Sequence, residues 1–286
     1  MNKACYYCHI KTLDQLIEKH KLSAEQADNL TSSVYLYLQH NWNLSNPLIA
    51  TTIQRIAKEQ LKVEDLYIDE KQAANTLLLN SYDKWKQLIT NSKNPFQTAA
   101  KLAVIGNIID YGAHSVPDEL EDFISQQIHQ QLAIDHSDAL KQEILKAKSI
   151  VYLGDNNGEI VFDKLFIECI AHPSITFVTR GSTVLNDITI EDAKNVGIDQ
   201  CCQVMSNGYD APSTIMNYCS AEFQLKFEEA DLIISKGQGN FEGIMDITNK
   251  NIFLLLMAKC DVIAEILNVS KGSMIIKQQN ILQNEL

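Results

Sequence analysis

After residue 148 the chain changes texture, and that change sets the fold class. Short runs rich in β-branched and other apolar residues stand at Ile150–Leu153, Ile175–Thr179, Asp231–Ser235, Ile252–Met257 and Met274–Lys277. Helical segments are expected between them, over Glu159–Ala171, Ile190–Val196, Ala211–Cys219, Phe241–Ile247 and Val262–Leu267. Runs with little polar alternation suit strands buried on both faces. Strand and helix in turn predict a mostly parallel sheet with helices on both sides. Before residue 148 the spacing is helical. Leu13, Leu16, Ile17, Leu30, Val34 and Leu38 recur at helical intervals, and Asn46-Pro47 opens a helix with Ile49, Ile53 and Ile56 on one face. Further helices are expected over 69–90, 95–112, 118–133 and 137–147. The expected architecture is therefore α/β: an all-helical region, residues 1–147, ahead of an α/β domain, residues 148–286.

Composition narrows the function. The chain has 286 residues, 45% of them hydrophobic, enough for one large core or two modest ones. No window reads as a membrane span, and the opening "MNKACYYCHIKT" turns polar too soon for a signal peptide. The expected location is the cytoplasm. Seven scattered cysteines, an odd number, read as reduced thiols. A formal net charge of −12 argues against nucleic acid, whose backbone needs a basic face. It leaves room for a small phosphorylated ligand. Oligomeric state is not legible.

In open parallel sheets ligands bind outside the carboxyl ends of the strands. The first strand ends in "LGDNNGE", Leu153 to Glu159; the second runs through Arg180 to Asn186-Asp187. A later one ends in Ser235-Lys236-Gly237-Gln238-Gly239-Asn240-Phe241-Glu242, and the next in Lys259-Cys260-Asp261. One Asp-Asn after a strand is more often a turn or a helix cap. Four polar clusters at successive strand ends are harder to explain so. Two carboxylates and an amide oxygen, from Asp155, Asn156 and Asp187, suit a hard divalent cation such as Mg²⁺, Mn²⁺, Co²⁺ or Ni²⁺. Asn157, Lys236, Asn240 and Lys259 are the candidate phosphate holders. Asp155, Asp187 and Lys236 are the candidate catalytic groups. The Gly-Gln-Gly turn is no dinucleotide fingerprint, because Glu242 stands where the third glycine belongs.

These segments resemble one family. Asp155, Asn156, Gly158 and Glu159 match the D-N-x-G-E motif of the metal-dependent damage-control phosphatases (an ARMT-like domain, formerly a domain of unknown function). Asn186, Asp187 and Thr189, with Asp192 beyond, match its N-D-x-T segment. Lys236, Gly237, Asn240, Phe241 and Glu242 match K-G-x-x-N-F/Y-E, and Lys259 matches its late lysine. Gly106, Asn107 and Asp110 match G-N-x-x-D, and Cys5 and Cys8 form the C-x-x-C of the stand-alone, prokaryote-type branch. The resemblance implies a helical region packed on an α/β domain, a divalent metal on Asp155, Asn156 and Asp187, and hydrolysis of small phosphate monoesters such as sugar phosphates or damaged phosphometabolites. Attack on phosphorus by water or by Asp155 both stay open.

Glu159, Asp192, Glu242, Asn107 and Asp110 are expected in support. Glu159 and Glu242 would orient Asn156 or a lysine, and Asp192 would serve Thr189 or cap a short helix. Arg180 is either a phosphate contact or one end of an exposed salt bridge. The seven histidines show no ligand pairing and are expected mostly on solvated faces, His114 being the one to test. Cys5 and Cys8 alone are half a zinc site, so a redox or metal role and a packing role both stay open. The loop "NGYDAP", Asn207 to Pro212, and the helical half are the expected lids. Rival readings are a methyltransferase-type enzyme, which would need a methyl donor, a phosphometabolite-binding protein without turnover, and an interaction protein.

Overall fold

The computed structural model describes residues 2–108 and 120–279. Asp110 and His114 lie outside the described residues. Among the described residues, seven helices come first: α1 Lys3–Lys19, α2 Ala24–His40, α3 Asn46–Leu61, α4 Ile68–Asn80, α5 Tyr82–Thr90, α6 Pro95–Gly106 and α7 Leu120–Gln127. Their starts are written locally. Ser23 and Gln26 close a capping box on α2, and Asn94 accepts from Gln97 N ahead of Pro95 at α6. The apolar faces of α1, α2 and α3 make their own cluster around Leu16, Leu30, Val34 and Ile53.

The sheet elements follow: β1 Ile134–Asp135, α8 Ser137–Lys146, β2 Ile150–Leu153, α9 Glu159–Ile170, β3 Ile175–Thr179, α10 Ile190–Val196, β4 Gln203–Ser206, α11 Ala221–Glu229, β5 Leu232–Lys236, α12 Gly237–Ile244, β6 Ile252–Met257, α13 Asp261–Ile266 and β7 Met274–Gln278. The strand order is β1-β7-β6-β5-β2-β3-β4. All neighbours are parallel except β6 and β7. Side chains alternate across it as strand geometry requires. Ile150, Tyr152, Phe177, Leu232 and Ile234 face α6 and α9; Val151, Leu153, Val178 and Ile233 face α11, α12 and α13.

Several expectations shift. The helical half supplies an edge strand, β1, which pairs with β7, and α6 packs on α9, β6 and β7. One apolar cluster runs from Ala74 to Ile276, so residue 147 marks a change of texture and not a break in the core. The helix expected over Ala211–Cys219 is only a 3₁₀ turn at Met216–Tyr218, and the helix itself, α11, starts beyond Ser220, which caps it. The helix expected from Phe241 begins at Gly237. Among the described residues no helix is long and apolar enough to cross a membrane.

From β2 the chain runs outward through β3 to β4. From β5 it runs the other way to β6 and β7. The carboxyl ends of the adjacent β2 and β5 are thus the topological switch point, where an open sheet leaves a crevice.

Candidate active site

At that switch point the loops after β2 and β5 meet. Gly237 has φ +74°, and a Cβ there would lie 1.8 Å from Asp155 Oδ2. Only glycine admits both this backbone and this carboxylate. On the β3 side of the site, Asn156 pairs with Asp187 in an isolated antiparallel bridge. Asp155, Asn156, Asp187 and Lys259 all line one cleft of about 120 Å³.

Arg180, at the end of β3, is buried between the two carboxylates. Its Nε donates to Asp187 Oδ2 at 2.6 Å and its Nη2 to Asp155 Oδ1 at 3.0 Å. Its salt bridges are buried rather than exposed, and Arg180 stands behind the residues that line the cleft. Asn156 Nδ2 donates to Asp155 Oδ2 (2.7 Å) and Glu159 Oε2 (3.2 Å), which turns its Oδ1 to the opposite side. Asn107 Nδ2 donates to the same two carboxylates, at 3.1 and 3.0 Å. Burial first, then the nearby Asp187 and Glu159, hold Asp155 well above the usual carboxylate range; Arg180 and Lys259 pull the other way. Two buried acids and an oriented amide form an all-oxygen donor set, which fits a hard divalent cation.

Three expected phosphate holders face elsewhere. Lys236 is fully buried under α6, with Nζ 2.6 Å from Glu159 Oε1, 2.5 Å from Asp163 Oδ1 and 2.8 Å from Ala103 O. Its strand parity explains this: Lys236 shares a face with Leu232 and Ile234. Asn240 spends its amide on Gly154 O and Lys236 O and its Oδ1 on Arg180 and Thr214. Asn157 donates to Asn186 O, Asp187 O and Asp192 Oδ2 and accepts from Asn75. These three hold the loops that carry Asp155 and Asp187; of the four, Lys259 alone lines the cleft.

The supporting acids take defined places. Glu159 orients Asn156 and Lys236. Asp192 does both things expected of it, closing a capping box with Thr189 and also pairing with Lys71 at 2.8 Å. Glu242 accepts instead from Asn46 Nδ2 of α3, at 2.9 Å. The Asn207–Pro212 loop is tied to the helical half by the Arg55–Asp210 ion pair.

Sequence reasoning missed the far wall. Cys8, His9, Asn46 and Gln54 of α1 and α3 line the cleft. His9, expected on a solvated face, is buried with Leu13 and Leu16. Its spacing to them, four and seven residues, was the available signal. Among the described residues no cluster of three or more His, Cys, Asp or Glu side chains is placed to hold a metal, so Cys5 and Cys8 gather no closed zinc-type site there.

Comparison with known proteins agrees with this architecture. The model of the damage-control phosphatase ARMT1-like domain matches residues 1–275. A damage-control phosphatase of Archaeoglobus fulgidus is 36% identical over 238 residues, 81% of this chain and 82% of that one. Damage-control phosphatase PH1575 of Pyrococcus horikoshii is 38% identical over 186 residues, 64% of this chain and 65% of its own. The crystal structure of a DUF89 family protein from Pyrococcus horikoshii superposes with a TM-score of 0.87 at 29% identity, covering 98% of this chain and 99% of that one. This chain belongs to the damage-control phosphatase ARMT1-like domain family.

Proposed function

We propose that the protein is a divalent-metal-dependent phosphatase that hydrolyses phosphate monoesters of small metabolites, sugar phosphates or damaged phosphometabolites. One observation carries the reading: two buried carboxylates, Asp155 and Asp187, share one cleft with Lys259 at the switch point of a family phosphatase fold.

Asp155, Asn156 and Asp187 would hold Mn²⁺, Mg²⁺, Co²⁺ or Ni²⁺. Bound there, the cation supplies Lewis-acid polarisation of a phosphoryl oxygen and offsets charge in the transition state. Lys259 lies on the same wall and would take a second phosphoryl oxygen. Arg180, Asn107 and Glu159 fix the rotamers of Asp155, Asn156 and Asp187, so the site is organised before the ester arrives. Both oxygens of Asp155 already accept hydrogen bonds, which orients this carboxylate and blunts it as a nucleophile. Water is therefore the proposed attacker: its oxygen bonds to phosphorus, the ester P–O bond breaks, and the alcohol leaves with a proton. A phosphorylated Asp155 trapped by acid quench in a single turnover would refute that step. A reducing, cytoplasmic setting fits seven scattered cysteines, an odd number.

The test is phosphate release from a panel of sugar phosphates and an aryl phosphate, after metal stripping and after return of each cation. Activity restored by a cation in the wild type and reduced at least about a hundredfold in Asp187→Ala is the expected result. Full turnover by the stripped protein would defeat the metal requirement.

A further inference from the structure

The helical half gives the cleft a wall of neutral polar groups, and three of their atoms lack a hydrogen-bond partner. They are His9 Nε2, Asn46 Oδ1 and Gln54 Nε2, all without one among the described residues. The three side chains line the same cleft as Asp155, Asp187 and Lys259. His9 is 6% exposed and Gln54 2%. Burying a polar atom without a partner is unfavourable, and native chains keep few such atoms. Three on one wall, opposite the acids, call for a ligand.

Their chemistry narrows its class. Gln54 Nε2 only donates, and Asn46 Oδ1 only accepts. Asn46 cannot usefully flip, because its Nδ2 already donates to Glu242 Oε2. Burial holds the His9 imidazole down at about 4, despite the adjoining Asn46, so the ring is neutral at pH 7 and can give or take one hydrogen bond. Pro47, Ala50 and Ile53 supply apolar surface between these groups.

We propose that His9, Asn46 and Gln54 form a specificity subsite for the hydroxyl groups of a sugar or polyol monophosphate, at the end of the substrate remote from its phosphate. This rests on the phosphatase reading of the cleft. A hydroxyl both donates and accepts, so a run of hydroxyls satisfies all three atoms. A second phosphate or a carboxylate would meet Asn46 Oδ1 and the Glu242 carboxylate. An ammonium would face the Gln54 donor. An aryl group would leave every one of them unpaired.

The test compares the full-length, metal-loaded wild type with Gln54→Leu and His9→Leu on sugar monophosphates and on phenyl phosphate. The readout is the ratio of kcat/KM for the best sugar phosphate over phenyl phosphate. Each variant is expected to lower that ratio about tenfold or more, since a site built for hydroxyls loses discrimination when a partner is removed. Each should also melt higher than wild type without ligand, because an unpaired buried polar group is gone. A purely structural role predicts the reverse: lower melting and an unchanged ratio. An unchanged ratio, or a wild type that prefers phenyl phosphate to every sugar phosphate, overturns the proposal. If the wild type cleaves no ester, the phosphatase reading fails and the subsite is judged by calorimetric binding of the same sugar phosphates. Binding weakened about tenfold in Gln54→Leu then upholds it, and no binding by the wild type overturns it.

Discussion

Lys236→Met replaces a buried ammonium by an apolar chain of similar length. In the wild type the ammonium bonds Glu159, Asp163 and the Ala103 carbonyl, and both acids are fully buried. Burial alone would lower its pKa, but Asp163 and Glu159 more than offset that, and the net shift is upward. Burial likewise raises Asp163, from 3.8 to about 6, even with Lys236 beside it. Removing one partner of a buried ion pair costs about 3–5 kcal/mol. Proton uptake sets a similar ceiling. Holding a carboxyl of ordinary pKa 3.8 neutral at pH 7 costs about 4 kcal/mol, at 1.36 kcal/mol per unit. Urea denaturation should therefore show Lys236→Met less stable by about 3–4 kcal/mol at pH 7. The folded variant would carry one proton more than its unfolded chain, so its stability rises as pH falls. The deficit should shrink by about 1.4 kcal/mol from pH 8 to pH 7. Adding Glu159→Gln and Asp163→Asn should restore most of the loss, since neither former partner of the ammonium is then left as an unpaired buried charge. Wild-type stability with a selective rise in KM for the ester would refute the reasoning. That is how an ammonium facing phosphate behaves.

Gly237→Ala must place a Cβ against Asp155 Oδ2 at φ +74°. It should cost about 1–2 kcal/mol in backbone strain and displace Asp155, lowering turnover at saturating metal; unchanged turnover would show that Asp155 tolerates the displacement. His9 is neutral in the fold, its imidazole pushed down from 6.5 to about 4. Above pH 6.5 it contributes nothing to the pH dependence. As pH falls from 6.5 to 4 the unfolded chain gains the proton first, so the fold loses about 3 kcal/mol. Stability against pH should be flatter for His9→Leu over that window, and parallel curves would contradict the assignment.

The strand ends were readable because each polar cluster follows an apolar run, and the order of strands then gathers them. Asp155, Asn156, Asp187 and Lys259 reach the cleft together for that reason. What the sequence withheld is direction. Lys236 looks like a loop lysine until strand parity sends it under α6 with Ile234. Asn157 and Asn240 follow the right strands, yet their amides are consumed by neighbouring backbone. Arg180 stands beside the site in the chain, but its two carboxylate partners appear only when β2 and β3 lie side by side. The far wall is least legible, because His9, Asn46 and Gln54 meet Glu242 and Lys259 across most of the chain. β1 and β4 were missed because one has two residues and the other, Gln203–Ser206, is a half-buried edge strand with only two apolar residues.

The pairing of β1 with β7 has a cost in biosynthesis. Ile134 finds its partner, Ile275, only after nearly all of the chain has been made. At about 5–20 residues per second, the ribosome needs on the order of ten seconds to deliver it. Throughout that interval α6 has left the ribosome with the apolar face that β6 and β7 will cover still bare. The nascent helical half is therefore open to aggregation over that interval, and a slow codon before β5 would lengthen it.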